Sequence, residues 1–322
     1  MVNKIYKNKR PFLPLLLIVI TMAIIAVVVD VGFFYQRQFD VPKPSITLST
    51  DPSIIARGEY LVYGPGRCAD CHGAVQQRAE IESGEKVPLS GGFYEEIYLG
   101  KIVFANITPD DETGIGKQSD ADIFRFLRTG INHKNEYGLP FMDYRSVSDD
   151  DLLAIISFLR SQKPVYHKVK PSSYNCLGKL ALAYFVRPEK APQVFSDNIA
   201  KGPTVEYGRY LVETIGACRG CHTQRSLYTG EYTGNDFEGG MLFKHSDDSA
   251  FNVISPDLTP NLTNGTIAGY SKENFLKRMQ DGLKKTWSPM PWGAYSRMSE
   301  TDIEAIFLYL SSLRTTAGII PD

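Results

Sequence analysis

The residues best suited to chemistry in this chain are Cys68-Ala69-Asp70-Cys71-His72, and the pattern recurs 150 positions later as Cys218-Arg219-Gly220-Cys221-His222. Two thiols three positions apart lie on one helical turn and can both reach the vinyl groups of a single porphyrin. The adjacent histidine then falls under the iron as its proximal ligand. A redox dithiol or half of a zinc site would need only Cys-x-x-Cys, and neither would need the trailing histidine twice. No second cysteine pair lies near either motif. The expectation is two covalently attached c-type haems, held by Cys68, Cys71, Cys218 and Cys221, with His72 and His222 as iron ligands.

The sixth ligand decides between electron transfer and small-molecule chemistry at the iron, and in small c-type domains it is usually methionine. After the second motif come Met241, Met279, Met290 and Met298. Aligning the two halves sets Met241 against Phe93, Met279 against Leu127 and Met298 against Val147, all apolar core positions. Met290 remains, in the proline-stiffened Ser288-Pro289-Met290-Pro291-Trp292. After the first motif the one methionine is Met142, in Leu139-Pro140-Phe141-Met142-Asp143. The expected sixth ligands are Met142 and Met290, with His133 the fallback for the first haem. His133, His167 and His245 otherwise read as surface or hydrogen-bonded loop residues. Phe141, Tyr144, Trp292 and Tyr295 are expected to wall the pockets.

The motifs are the centres of two repeats. Arg57 to Val62 matches Tyr207 to Val212, Gly91-Gly92-Phe93 matches Gly239-Gly240-Met241, and Asn106-Ile107-Thr108-Pro109 matches Asp257-Leu258-Thr259-Pro260. Ser119 to Gly130 and Ser271 to Gly282 each read as an amphipathic helix ending at glycine. Each repeat then closes with a serine-capped helix that begins acidic and carries apolar residues at three- and four-residue steps, after Ser148 and after Ser299. Gly58 and Gly208 sit inside the opening helices, where glycine weakens a helix relative to alanine. Close packing against the closing helix is the expected reason.

Phe12 to Val29 runs without a charge, which as a helix spans about 27 Å, and it follows Lys4, Lys7, Lys9 and Arg10. With no small-x-small cleavage site at its end, it reads as an uncleaved anchor with a cytoplasmic N-terminus and the haem domains on the periplasmic side. The expected fold is all-α, two tandem small helical shells, each around one haem, after an N-terminal transmembrane helix. Residues 1–35 form the tail and anchor, 36–52 a tether, 53–162 the first domain, 163–203 a proline-rich connector with a short helix near Leu177 to Phe185, and 204–316 the second domain. Four of the five cysteines lie in the haem motifs, leaving Cys176 as an expected inert buried thiol. Without the four N-terminal cations the chain carries 31 basic against 36 acidic residues, which argues against nucleic acid and suits a basic redox partner.

With these residues in view, the chain resembles the membrane-anchored multihaem cytochrome c family that includes the cytochrome subunits of bacterial membrane alcohol and gluconate dehydrogenases. The resemblance rests on the two haem motifs, on Asn106-Ile107-Thr108-Pro109-Asp110 followed by Gly114-Ile115-Gly116, and on Met290-Pro291 ahead of Ser299 to Leu310. It runs from Ala56 to Leu313 and implies two tandem class I cytochrome c domains after the transmembrane helix, with iron held by His72 and Met142 in one and by His222 and Met290 in the other. Those subunits have a third haem domain, whereas a third motif is absent here, and Gln118 stands where an aromatic is usual. The implied function is relay of single electrons from a membrane or periplasmic dehydrogenase to a downstream cytochrome or terminal oxidase. A dihaem peroxidase would require an open sixth position, and a haem-based sensor would require a signalling domain.

Overall fold

The computed structural model describes residues 12–139, 141–142, 144–188, 199–226, 230–244, 252–284 and 288–313. Among them the chain is mostly helical. Helix α1 (Phe12–Phe33) is apolar along most of its length and exposed except near its C-terminal end, where the helix Cys176–Tyr184 packs on it. At 22 residues it is about 33 Å long, enough to cross a bilayer's hydrocarbon core.

Each repeat is built around one helix crossing. In the first, α2 (Pro52–Tyr63), started by Asp51 and Pro52, packs on α6 (Asp149–Ser161). In the second, α8 (Val205–Tyr210) packs on α12 (Glu300–Ser311). The serine caps expected for the closing helices are present: Ser148 accepts from Asp151 N and Ser299 from Asp302 N. The crossings lie at the two glycines. A Cβ on Gly58 would sit 1.9 Å from Ala154 O, and one on Gly208 would sit 1.9 Å from Ala305 O. Two backbones therefore touch, and no side chain can move aside to relieve the clash.

Between crossing helices the repeats place α3 (Cys68–His72), α4 (Arg78–Glu82) and α5 (Asp120–Thr129) in the first, and α9 (Arg219–His222), α10 (Lys272–Gln280) and α11 (Trp292–Tyr295) in the second. The α5 and α10 helices start at Ser119 and Ser271, and α5 ends at Gly130 in a left-handed conformation, as the glycine signal predicts. The helical expectation omits small β elements. Strands β1 (Tyr94–Ile97), β2 (Gly100–Val103) and β3 (Ser173–Tyr174) form an antiparallel ribbon, and β4 (Leu242–Phe243) pairs with β5 (Val253–Ile254). β3 comes from the connector, whose short segment satisfies the open edge of β2.

The tether and connector are held against the first repeat. Lys43 pairs with the buried Asp122 at 2.9 Å, Arg125 donates to Val41 O, and Ser49 N donates to Ser157 Oγ. In the connector, Asn106 donates to Val165 O and His167 N donates to Thr113 Oγ1. The expected connector helix is α7 (Cys176–Tyr184). Cys176 departs from expectation: it is exposed, because the buried face of α7 is Gly178, Leu182 and Ala183.

The two repeats meet through a reciprocal pair of tyrosines at equivalent positions. Tyr60 Oη donates to Asp302 at 2.7 Å and accepts from Ser299 N. Tyr210 Oη donates to Asp151 at 2.8 Å and accepts from Ser148 N. Each therefore satisfies the head of the other repeat's closing helix. Asp151 also takes both arms of Arg57, at 3.0 and 2.9 Å. Burial works to raise its carboxyl pKa, but hydrogen bonding and charge pairing with Arg57, with Lys201 and Tyr210 adding to them, hold it below the ordinary carboxylate value.

Two outcomes follow for stability. Gly58→Ala and Gly208→Ala should each destabilise by more than the ~1–3 kcal/mol usual for overpacking, read as a lowered thermal midpoint, whereas Gly220→Ala, which meets nothing within 4 Å, should not. Asp151→Asn should cost about 3–5 kcal/mol by leaving the half-buried Arg57 without its charge partner. Because the folded pKa of Asp151 is depressed, its contribution is fully present above the ordinary carboxylate pKa and is lost as pH falls through the folded value. The stability gap between wild type and variant should therefore narrow in acid.

Candidate haem centres

The local setting of the two histidines is the same in both repeats. His72 Nδ1 donates to Ala105 O at 2.7 Å and His222 Nδ1 donates to Pro256 O at 2.9 Å. Burial lowers the pKa of both rings, so both are neutral near pH 7. With Nδ1 carrying the proton, Nε2 presents its lone pair. His72 Nε2 is buried and has no hydrogen-bond partner among the described residues. A buried, unpaired ring nitrogen is costly unless something else uses it, and the Nδ1 contact to a backbone carbonyl is the usual support of an iron-ligating imidazole.

The repeated motifs supply that carbonyl. Asn106 Oδ1 accepts from Thr108 N and Oγ1, and Asp257 Oδ1 accepts from Thr259 N, so the Asn/Asp-x-Thr-Pro segment is a tight turn that fixes the preceding residue, Ala105 or Pro256. The glycine pairs thread between this turn and the histidine. Gly91 N donates to His72 O and Gly239 N to His222 O, both at 2.7 Å. Gly91 has φ of 75° and Gly239 of 71°, and an added Cβ would fall 2.5 Å from Ala105 C or 2.4 Å from Ser255 O. In the first repeat, Phe104 meets the edge of the His72 ring and stacks on Phe93.

None of the five cysteines is in a disulfide. Burial pushes Cys68 up to about 12 and Cys71 and Cys218 up to about 11. Redox dithiols have the opposite character, a lowered thiol pKa. Among the described residues no group of three or more His, Cys, Asp or Glu could hold a metal ion. The arrangement suits one imidazole ligand with two thiols beside it, and a c-type haem fits that donor set.

The two candidate methionines are placed alike. Met142 and Met290 are both partly buried and pack on the core cluster, as do Cys68 and Cys218. Met241, Met279 and Met298 are buried in that core, as the alignment of repeats predicts. Tyr144 Oη donates to Gly66 O at 2.8 Å and Tyr295 Oη to Gly216 O at 3.2 Å, so each ligand loop is tied to the turn before its cysteines. Trp292 donates to Ser288 Oγ and lies under the Arg278 guanidinium, which stiffens the Met290 loop. Phe141 meets Phe104 edge-on. His133 lies exposed on the turn between Ile131 and Tyr137. His167 Nδ1 donates to Ser90 O at 2.9 Å, the loop role expected of it. His245, Pro140 and Asp143 lie outside the described residues.

Arg67 is a residue that motif reading passes over. It precedes Cys68 with φ of 46°, a conformation shared by its counterpart Ala217 at 45°. Its guanidinium lies within electrostatic reach of Tyr144 and Cys71 of the first repeat and of Tyr295 and Cys221 of the second. One cation thus lies between the two Cys-x-x-Cys-His segments. The signal in the sequence is the asymmetry itself, since a charge stands where the other repeat has alanine.

No protein-family model matches the chain. The gluconate 2-dehydrogenase cytochrome c subunit of Pantoea cypripedii is 30% identical over 263 residues, covering 79% of this chain and 53% of that protein. The cytochrome c subunit of the quinone alcohol dehydrogenase of Gluconobacter oxydans is 30% identical over 280 residues, 82% of this chain and 55% of the relative. A diheme cytochrome c-type protein of Cereibacter sphaeroides is 29% identical over 192 residues, 56% of this chain and 62% of that one. The chain therefore spans about half the length of the two dehydrogenase subunits.

A cation between two redox centres stabilises the reduced, less positive state of both. A unit charge about 15 Å away at an effective dielectric of about 20 acts with about 1 kcal/mol. Arg67→Gln should therefore lower the midpoint potentials of both haems by tens of millivolts in a spectroelectrochemical titration, while Arg219→Gln, exposed and paired with Asp236, should leave them nearly unchanged. A fall confined to one haem would contradict the placement of Arg67 between them. The imidazole settings, the thiol pairs and these relatives together make the chain a homologue of the cytochrome c subunits of gluconate and alcohol dehydrogenases.

Proposed function

We propose that the chain is a membrane-anchored dihaem c-type cytochrome that relays single electrons between a membrane or periplasmic dehydrogenase and a downstream cytochrome or oxidase. The observation that carries this reading is the repeated imidazole setting, with Nδ1 held on a backbone carbonyl, and in each repeat a methionine loop tied by a tyrosine hydroxyl to the turn before the cysteines. Cys68 and Cys71 hold one haem and Cys218 and Cys221 the other. His72 with Met142 and His222 with Met290 are the iron ligands. The two repeats act as tandem class I cytochrome c domains, residues 53–162 and 204–316, joined by the connector.

A c-type haem with histidine and methionine ligands supplies one-electron redox chemistry at raised potential and leaves no position for substrate on the iron. The residues of this chain orient the imidazoles, keep both rings neutral and stiffen the methionine loops. No side chain is asked to move a proton or bind a substrate. Relatives named as dehydrogenase subunits support a dehydrogenase as the electron donor. Helix α1 anchors the chain, and the four basic residues before it place the N-terminus in the cytoplasm and the cysteine motifs in the periplasm.

Haem analysis of the purified protein should give two haems per chain, both retained on a denaturing gel. Near-infrared magnetic circular dichroism of the oxidised protein should show sulfur-to-iron charge transfer for two haems, with about half the intensity lost in Met142→Ala and the other half in Met290→Ala. An unchanged spectrum in Met142→Ala with a changed one in His133→Ala would overturn the first ligand assignment. Fast, stoichiometric binding of carbon monoxide to wild-type protein together with peroxide turnover would replace the relay with an enzyme.

A further inference from the structure

Helix α7 is apolar on both faces. Gly178, Leu182 and Ala183 are buried, and a Cβ on Gly178 would lie 2.0 Å from Leu99 O, so that face is clamped on the β1–β2 turn. The opposite face carries Leu177, 58% exposed, Tyr184, 41%, and Phe185, just past the helix, 76%. Tyr184 and Phe185 lie seven and eight residues after Leu177, two helical turns on, and so share its side of the helix. A helix that is apolar all round but half exposed lacks the polar face that water requires.

The position of α7 indicates what covers that stripe. It packs against the end of α1. Arg37 donates to Asp30 Oδ1 at 3.0 Å and to Ala183 O at 3.1 Å, and Tyr184 Oη donates to Asp30 Oδ2 at 2.6 Å. The Arg37 guanidinium lies over the Tyr184 ring, and Lys179 lies over Tyr35. The exposed stripe therefore continues from the exposed aromatic end of α1, Phe33 and Phe34. Lys179 lies on the side of the helix turned to Tyr35, and the exposed Arg187 follows Phe185 by two residues, folded back on Leu182 O and Ala183 O. Apolar and aromatic side chains bordered by cations, at the mouth of a spanning helix, match the headgroup boundary of a bilayer.

We propose that α7 is an interfacial membrane helix, seating Leu177, Tyr184 and Phe185 in the lipid at the periplasmic surface beside the end of α1. This rests on the reading of α1 as an anchor. It gives the connector a task, since the haem-bearing repeats are then held against the membrane at two points and cannot swing freely on the tether. The partner is a lipid surface, and anionic headgroups complement Lys179 and Arg187.

The test uses the full haem-loaded chain in vesicles of phosphatidylcholine and phosphatidylglycerol containing a phosphatidylcholine with a diazirine high on its acyl chain. After irradiation and digestion, mass spectrometry should find lipid adducts in residues 13–33 and in residues 176–185. Both should stand at least tenfold above adducts at Leu262, which is 94% exposed, and at Val205, 45% exposed. Leu177→Asp with Phe185→Asp, both solvent-facing in the protein, should cut the 176–185 adducts at least tenfold and leave haem content and the 13–33 adducts unchanged. Adducts confined to 13–33 would overturn the seating of α7 and leave the anchor intact. Adducts missing from 13–33 would overturn the anchor and the proposal with it, and adducts at 176–185 that survive the double substitution would show that another face meets the lipid.

Discussion

The placement of everything else depends on two tyrosine hydroxyls that cross between the repeats. Tyr60 and Tyr210 each close the head of the other repeat's closing helix by bonding its serine N–H and its buried aspartate. Asp151 and Asp302 are 2% and 5% exposed, so neither can turn to water if its tyrosine is lost. The closing helix in turn receives the opening helix at a glycine, and the opening helix leads directly into the cysteine motif. A bond at the interface is therefore transmitted through two packed helices to the position of each thiol pair. The pairing is not fully symmetric: Arg57 completes Asp151, while Tyr207 stands at the equivalent position and lies 3.5 Å from Asp302.

The same interface brings the two motifs together. Arg67 interacts with cysteines and tyrosines of both repeats, and α4 of the first repeat packs on α11 of the second, just after Met290. Gly293 approaches Ile81 O so closely that a Cβ there would lie 2.1 Å away, and Arg297 donates to Gly84 O. One repeat thus stiffens the methionine loop of the other. Two separate domains on a flexible linker would leave the distance between their Cys-x-x-Cys-His motifs to diffusion, whereas this contact fixes it.

Much of this was legible in the sequence because repetition makes a signal self-checking. The serine caps, the glycines at the helix crossings and the core methionines could be read twice, and the backbone clash at Gly58 and Gly208 is the physical reason for a residue that weakens a helix. The Asn/Asp-x-Thr-Pro segment was visible as a repeat, but its task was not, because holding His72 Nδ1 is done by the backbone carbonyl of the residue before it. What repetition could not reveal were the features present once. Arg67 has alanine opposite it, β3 belongs to the connector, and the exposure of Cys176 follows from which face of α7 meets the Leu99 turn. The reciprocal tyrosines were part of a matched segment, yet the sequence holds no sign that they reach across rather than within a repeat.

The central claim is that the two repeats hold two redox centres at a fixed, short separation as one unit. Injecting less than one electron per oxidised molecule by pulse radiolysis, and following the absorbance of the two haems afterwards, tests it most directly. The account predicts a first-order redistribution between the haems at a rate independent of protein concentration. A redistribution rate proportional to protein concentration would mean that the haems exchange electrons only between molecules, and would contradict it.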